Sequence, residues 1–215
     1  MRRSSRHLVI FVKAPLLGQV KSRLAAGIGA LAARRFYRAT TARLIRKMNR
    51  DRRWRVWLAV TPHRALNSAH WPRGTQRLDQ GQGDLGARMG RVFHSLPPGP
   101  AVIVGSDIPD LGPRHVAAAF RALGGHDAVF GPAADGGYWL IGLRRRPPVP
   151  SGLFAGVRWS SFHALADTHA SLPRNVSIAM LEVLEDVDDA AAYARWCGRL
   201  KKRRRASSDA PGAAA

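Results

Sequence analysis

The stretch Ala101-Val-Ile-Val104 narrows the fold more than any other in this chain. A strand with one wet face alternates apolar and polar residues. A run with no polar interruption needs cover on both faces, as in the middle of a parallel sheet. Gly105 ends the run, and Pro109 stops the strand from continuing. Asp107 and Asp110 therefore follow on a loop just past the strand's carboxyl end. Open α/β sheets bind their ligands there. The same two residues also suit a plain turn before the next helix.

Other segments repeat this character. His7–Val12, Arg55–Val60, Asp127–Gly131 and Tyr138–Leu143 are apolar and β-rich, Gln76–Leu78 is a weaker strand, and Ser177–Leu184 a mixed one. Helical spacing fills the gaps. Tyr37, Thr41, Leu44, Ile45 and Met48 share one face of a helix over residues 30–49. Leu85, Met89, Val92, Phe93 and Leu96 share another. Pro113 opens a helix whose inner face is Val116, Phe120 and Leu123. Ser161 reads as the cap of a helix reaching Ala170, and Ala192, Tyr193, Trp196 and Leu200 line the last one. Strands alternating with helices predict an α/β domain with a mostly parallel central sheet and helices on both faces. The short Pro132–Gly137 connection predicts a local antiparallel pair. Residues 1–200 read as one domain. Residues 201–215, basic and then rich in Ala, Ser and Pro, read as a disordered tail.

The chain carries 35 Lys and Arg against 14 Asp and Glu, a formal net charge of +21. That balance suits nucleic acid or an anionic substrate as partner. It also makes each carboxylate informative, because only Glu182 and Glu185 are Glu and the rest are Asp. Cys197 stands alone, so no intrachain disulfide forms. The histidines lack zinc-ligand spacing. Lys13 and Pro15 interrupt the first apolar run, which argues against a signal peptide, and no apolar stretch is long enough to span a membrane. The expected compartment is the cytoplasm.

Chemistry concentrates in the loops. Lys13-Ala-Pro-Leu-Leu-Gly-Gln-Val-Lys-Ser-Arg-Leu24 holds three cations just after the first strand, a place suited to phosphates. It is not a Walker A loop, because Val20 precedes Lys21 where Gly is required. Gly27-Ile-Gly29 lies too far past the strand for a dinucleotide fingerprint. Gln80-Gly-Gln-Gly-Asp-Leu-Gly86 contains a literal G-x-G-x-x-G, but a polar segment precedes it and Asp84 would repel a pyrophosphate. Its glycines read instead as letting the backbone approach a base or ribose. Seven of the 14 acids, Asp84, Asp107, Asp110, Asp135, Asp186, Asp188 and Asp189, fall in four such loops. Carboxylates near phosphate-binding cations suit Mg²⁺ (or Mn²⁺) held by one or two carboxylates, with substrate phosphates completing its shell. If like charges crowd the cleft, Asp107→Asn is expected to keep or gain stability in metal-free buffer.

Five motifs taken together resemble the bacterial DUF2064 family: Lys13–Leu24, Gln80-Gly-Gln-Gly-Asp-Leu-Gly-Ala-Arg-Met89, Gly105-Ser-Asp-Ile-Pro-Asp-Leu111, Phe130-Gly-Pro-Ala-Ala-Asp-Gly-Gly-Tyr-Trp139 and Asp186-Val-Asp188. The likeness spans about residues 7–200. It implies a Rossmann-like GT-A fold, that of nucleotide-diphospho-sugar transferases, and a glycosyltransferase-like activity on a nucleotide-activated donor. A fainter likeness to nucleotidyltransferases of the 2-phospho-L-lactate guanylyltransferase type implies that Lys21 and Arg23 hold phosphates, with Lys13 beside them. By the same likeness Gln80, Gly81 and Gly83 lie against the base or ribose, and Asp84 belongs to that side. Asp107 and Asp188 would hold Mg²⁺, and Asp135 would meet the second substrate or the metal's shell, which makes Asp107 and Asp135 the catalytic candidates. Sugar-nucleotide transferases often carry D-x-D after the central strand. Here the order is Asp107-Ile-Pro-Asp110, and the literal D-x-D is Asp186-Val-Asp188. Nucleotidyl transfer therefore stands as the alternative, with nucleic-acid binding as a third reading of the charge. The acceptor is not legible.

Overall fold

The first strand, β1 (His7–Lys13), runs through the middle of the molecule with Leu8, Val9 and Ile10 wholly buried. Its residues diverge to two cores. Leu8, Ile10 and Val12 pack with Leu44, Ile45 and Met48 of the long helix Ala30–Asn49 and with Val116 and Phe120. Val9 packs on the opposite side, with Met89, Val92 and Phe93. A strand sandwiched in this way has no polar position to spare, which is why its sequence does not alternate.

The computed structural model describes residues 5–146 and 148–208. In chain order the elements after β1 are α1 (Ser22–Ile28), α2 (Ala30–Asn49), β2 (Arg55–Thr61), β3 (Gln76–Asp79), α3 (Leu85–Ser95), β4 (Ala101–Val104) and α4 (Pro113–Ala122). Then come β5 (Ala128–Pro132), β6 (Tyr138–Leu143), α5 (Ala164–Ala170), β7 (Ile178–Met180) and α6 (Ala190–Ser208). The seven strands form one sheet in the order β3-β2-β1-β4-β6-β5-β7. Only β6 runs against its neighbours, β4 and β5; the other pairings are parallel. Helices α2 and α4 cover one face, and α3 with the segment around Phe154 and Leu172 covers the other. This is the mostly parallel α/β architecture expected from the sequence, including the antiparallel β5–β6 pair.

Four boundaries differ by two residues or more. The mixed strand expected over Ser177–Leu184 pairs with β5 only as Ile178–Met180. The stretch expected to be loop as far as Leu24 turns helical at Ser22, giving α1. The α5 helix begins at Ala164 rather than Ser161, because the Ser161 hydroxyl donates to the Arg158 carbonyl (2.6 Å) and accepts from the His163 N–H (3.2 Å), closing a turn first. The last helix continues through Ser208, past the expected boundary at Leu200; residues 209–215 of the expected tail lie outside the described residues. Phe36 on α2 meets Tyr193 and Trp196 edge-on, with centroids 5.2 and 5.3 Å away, and so anchors α6. Gly27 belongs to this packing too, since any side chain there would collide with Ala190. Among the described residues, no helix is long and apolar enough to cross a membrane.

Candidate functional site

Two clefts open above the carboxyl ends of β1 and β4. The first, about 460 Å³, lies between the Lys13–Arg23 loop, Gln80 and Ser106. The second, about 610 Å³, is walled by Asp135, Tyr138, Trp159 and Phe162. They share Arg23, Leu85, Gly105, Asp107 and Asp188. Of the expected cations and carboxylates, Arg23, Asp107 and Asp188 therefore meet along one seam.

Asp107 follows the fully buried β4, so its backbone is fixed by the sheet. Its Oδ1 accepts from the Ser106 hydroxyl at 3.3 Å, and its Oδ2 lies 3.0 Å from the Lys21 ammonium. Lys21 also reaches Asp188 at 3.4 Å, and Arg23 pairs with the other oxygen of Asp188 at 3.3 Å. The Lys21 side chain is only 3% exposed, against 43% for Asp107 and 40% for Asp188. Lys21 stands before α1 in the left-handed conformation, φ 53° and ψ 49°. A non-glycine residue there costs roughly 1–2 kcal/mol. The sequence expectation of a repulsive carboxylate cluster needs correction here: the chain supplies its own counter-charge, so the predicted stability gain of Asp107→Asn changes sign.

Asp188 reaches this point from far along the chain. After β7 the Leu181 N–H donates to the Phe130 carbonyl and the Leu184 N–H to the Pro132 carbonyl, so the segment follows β5 upward. The Val187 N–H then donates to the Asp107 carbonyl at 3.2 Å. Val187 is wholly buried, while Asp186 and Asp188 on either side line the second cleft. Burial raises the Asp186 carboxyl above its ordinary range. Lys21 opposes that rise, and the carboxylates of Asp135, Asp188 and Asp107 add to it. Asp186 is the participant that sequence reasoning left out of the site. The signal was present in the D-x-D, which places its two acids astride one core residue.

Tyr37 was expected only as core. Its hydroxyl donates to the Lys13 carbonyl (3.0 Å), accepts from the Lys13 N–H (2.9 Å) and lies 3.4 Å from Ser106 Oγ, tying the cationic loop to the β4 loop. Burial, then the Asp107 charge, raises its phenol above the usual value.

The remaining candidates divide. Lys13 lines the first cleft with an exposed side chain. Asp135 faces the second cleft, one oxygen held by the Gly137 N–H at 3.0 Å. Gln80 borders the first cleft, but its amide donates to the Val12 and Ala59 carbonyls at 3.2 and 2.8 Å, binding β1 to β2. Asp84 caps α3 by accepting from the Ala87 N–H at 2.8 Å. Gly81 has φ 73°, and a side chain there would sit 2.5 Å from the Arg91 guanidinium; Gly83, φ 99°, faces Ala87. Arg91 in turn donates to the Gln80 and Gln82 carbonyls, at 2.6 and 3.1 Å. The glycines thus let the loop fold over Arg91, and neither Gly81, Gly83 nor Asp84 lines either cleft. Asp110 turns away from the seam toward Arg199, 3.5 Å away, beside the Glu185–Arg195–Arg199 ion pairs.

A family profile, described as an uncharacterized protein conserved in bacteria (DUF2064), matches residues 44–161, more than half of the chain. The chain belongs to the DUF2064 family. The matched stretch carries Gln80–Asp84, Asp107 and Asp135 of this DUF2064 protein, while Lys21, Arg23 and Asp188 lie outside it. No curated protein matches the chain in sequence. Among solved structures, a protein of Desulfovibrio desulfuricans G20 named as a candidate nucleotide-diphospho-sugar transferase is 27% identical, with a TM-score of 0.76 over 86% of this chain and 82% of that one. Rv0371c of Mycobacterium tuberculosis H37Rv, solved with manganese, is 16% identical, with a TM-score of 0.54 over 89% and 97%. The inositol-1-phosphate CTP transferase of T. maritima is 10% identical, with a TM-score of 0.55 over 87% and 91%. The last two share the fold alone. The fold is that of the nucleotide-diphospho-sugar transferases and nucleotidyltransferases.

Proposed function

We propose that this DUF2064 protein is a transferase that uses a nucleotide-activated donor, with glycosyl transfer as its reaction. The observation that carries the reading is the shared seam: two clefts of ligand size meet at Asp107, Asp188 and Arg23. The donor nucleotide takes the first cleft, its phosphates beside Lys13, Lys21 and Arg23. Arg grips phosphate oxygens as a fork and Lys as a point charge. The second substrate takes the cleft walled by Tyr138 and Trp159. Its hydroxyl attacks the sugar's anomeric carbon, the bond to the phosphate oxygen breaks, and Asp135 accepts the hydroxyl proton. Most of the rate then comes from holding both partners in reach of one another. The 27% identity to the Desulfovibrio protein supports a nucleotide-sugar donor.

The donor set fits a hard divalent cation. Among the described residues no three His, Cys, Asp or Glu side chains converge on one metal position. Mg²⁺ asks for less, one or two carboxylates plus phosphates and water. Asp107 and Asp188 would hold it, and the half-buried Asp186 carboxyl lines the second cleft beside them. When bound, such an ion neutralises charge on the departing phosphate. The manganese in the Rv0371c structure supports the same preference.

Nucleotidyl transfer is the second reading. It is favoured by the order Asp107-Ile-Pro-Asp110, which puts no D-x-D after β4. Incubation with nucleoside triphosphates and with nucleotide sugars, each with Mg²⁺ or Mn²⁺, separates the two. Nucleoside diphosphate released from a sugar nucleotide supports glycosyl transfer, and pyrophosphate released from a triphosphate supports the second reading. Failure of every nucleotide to bind overturns both.

A further inference from the structure

We propose that Lys21 is an internal stand-in for the divalent cation, holding Asp107 and Asp188 until nucleotide phosphates draw its ammonium away. The inference rests on the transferase reading above and concerns the order in which that site fills. Lys21 Nζ lies 3.0 Å from Asp107 Oδ2 and 3.4 Å from Asp188 Oδ1, two carboxylates brought together from loops some eighty residues apart. The other oxygen of Asp107 faces Ser106 and the other oxygen of Asp188 faces Arg23, so every carboxylate oxygen of the pair already has a donor.

A divalent ion needs those same oxygens. Taking them while the ammonium sits between them weakens metal binding, because two cations would then share one set of ligands at close range. The Lys21 side chain is 3% exposed, with its ammonium held between the two carboxylates. Its backbone is fixed at the left-handed turn before α1, but the four-carbon stem can swing the ammonium without moving that turn. The first cleft borders the same side chain, so phosphates arriving there offer the ammonium an alternative partner. Nucleotide binding would thereby free the carboxylates for metal. By linkage, metal binding would equally favour nucleotide. The device keeps the resting site electrically balanced and makes metal occupancy depend on substrate.

The test titrates the nucleotide-free full chain with Mn²⁺ alone, reading unbound Mn²⁺ by its paramagnetic resonance signal. Lys21→Met keeps the stem and removes the charge. It is expected to bind Mn²⁺ about tenfold tighter than wild type, within the ~5–150-fold span usual for coupled sites. Lys21→Arg, which keeps the charge, should stay with wild type. Adding Asp107→Asn to Lys21→Met should cancel the gain. Equal or weaker Mn²⁺ binding by Lys21→Met overturns the proposal. On the wild-type protein, saturating Mn²⁺ should raise acylation of the Lys21 amine severalfold, measured by peptide mass spectrometry. An unchanged acylation rate also overturns the proposal, and this arm depends on no variant folding. A nucleotide titration of wild type is read separately. If no nucleotide binds while Lys21→Met gains Mn²⁺ affinity, the transferase reading and the release by phosphates fall, and only the competition between Lys21 and metal stands.

Discussion

Replacing Asp107 by Asn keeps the shape of the side chain and removes one of the two charges facing Lys21. Breaking a fully buried ion pair by removing one partner costs about 3–5 kcal/mol. Two features reduce that here. Asp107 is 43% exposed, and Asp188 remains 3.4 Å from the ammonium. The loss is therefore nearer ~1.5–2 kcal/mol, the lower part of the range for hydrogen bonds to charged groups. For a chain of this size that lowers the melting temperature by roughly 2–8 °C. The assay is thermal and denaturant unfolding in chelator-treated buffer of wild type, Asp107→Asn, Lys21→Met and the double variant. Lys21 and Asp107 should show a coupling energy of about 1 kcal/mol, beyond the ~0.3–0.5 kcal/mol scatter of independent sites. Nucleotide affinity in Mg²⁺ should fall in both single variants. A stability gain in Asp107→Asn, or strict additivity in the cycle, would refute the view that Lys21 is the counter-charge of this seam.

Gln80→Ala leaves the Val12 and Ala59 carbonyls without their amide donor, and a loss of about 1–3 kcal/mol is expected in denaturant unfolding; unchanged stability with lost nucleotide affinity would return Gln80 to the ligand. His7 is wholly buried, with Nδ1 accepting from the Trp57 indole at 3.2 Å, and burial pulls its pKa below the ordinary value. The unfolded chain therefore takes up the proton first, so His7's contribution is complete above the ordinary histidine range and is lost as pH falls through it. His7→Gln should flatten that limb of the melting-temperature profile, and an unchanged slope would assign it elsewhere. Deleting residues 201–215 removes Lys201 and Lys202, both exposed, and spares the Phe36–Tyr193–Trp196 contact. Melting temperature should hold, while any retention of nucleic acid at low salt should drop. Trp196→Ala should lower it.

The sequence by itself determined the sheet. Runs such as Ala101–Val104 and Leu8–Ile10 need cover on both faces, because every side chain in them is buried. It also placed Lys21, Asp107 and Asp135 on loops at the strand ends, since Gly and Pro mark where strands stop, whereas Arg23, read there as loop, stands in the first turn of α1. Partnership was a different matter. Gln80 and Asp84 sit in a stretch that reads as a ligand loop, yet their side chains complete the backbone hydrogen bonding of two strands and a helix end. No local pattern separates those tasks, because the same polar atoms serve either one. Asp186 and Asp188 reach Asp107 only because the chain after β7 climbs along β5 and buries Val187 beneath them. Lys21, in a chain with 35 cations, became a buried counter-charge through contacts more than eighty residues away. Charge balance inside a cleft is a sum over whatever the fold gathers there, and only the tertiary structure performs that sum.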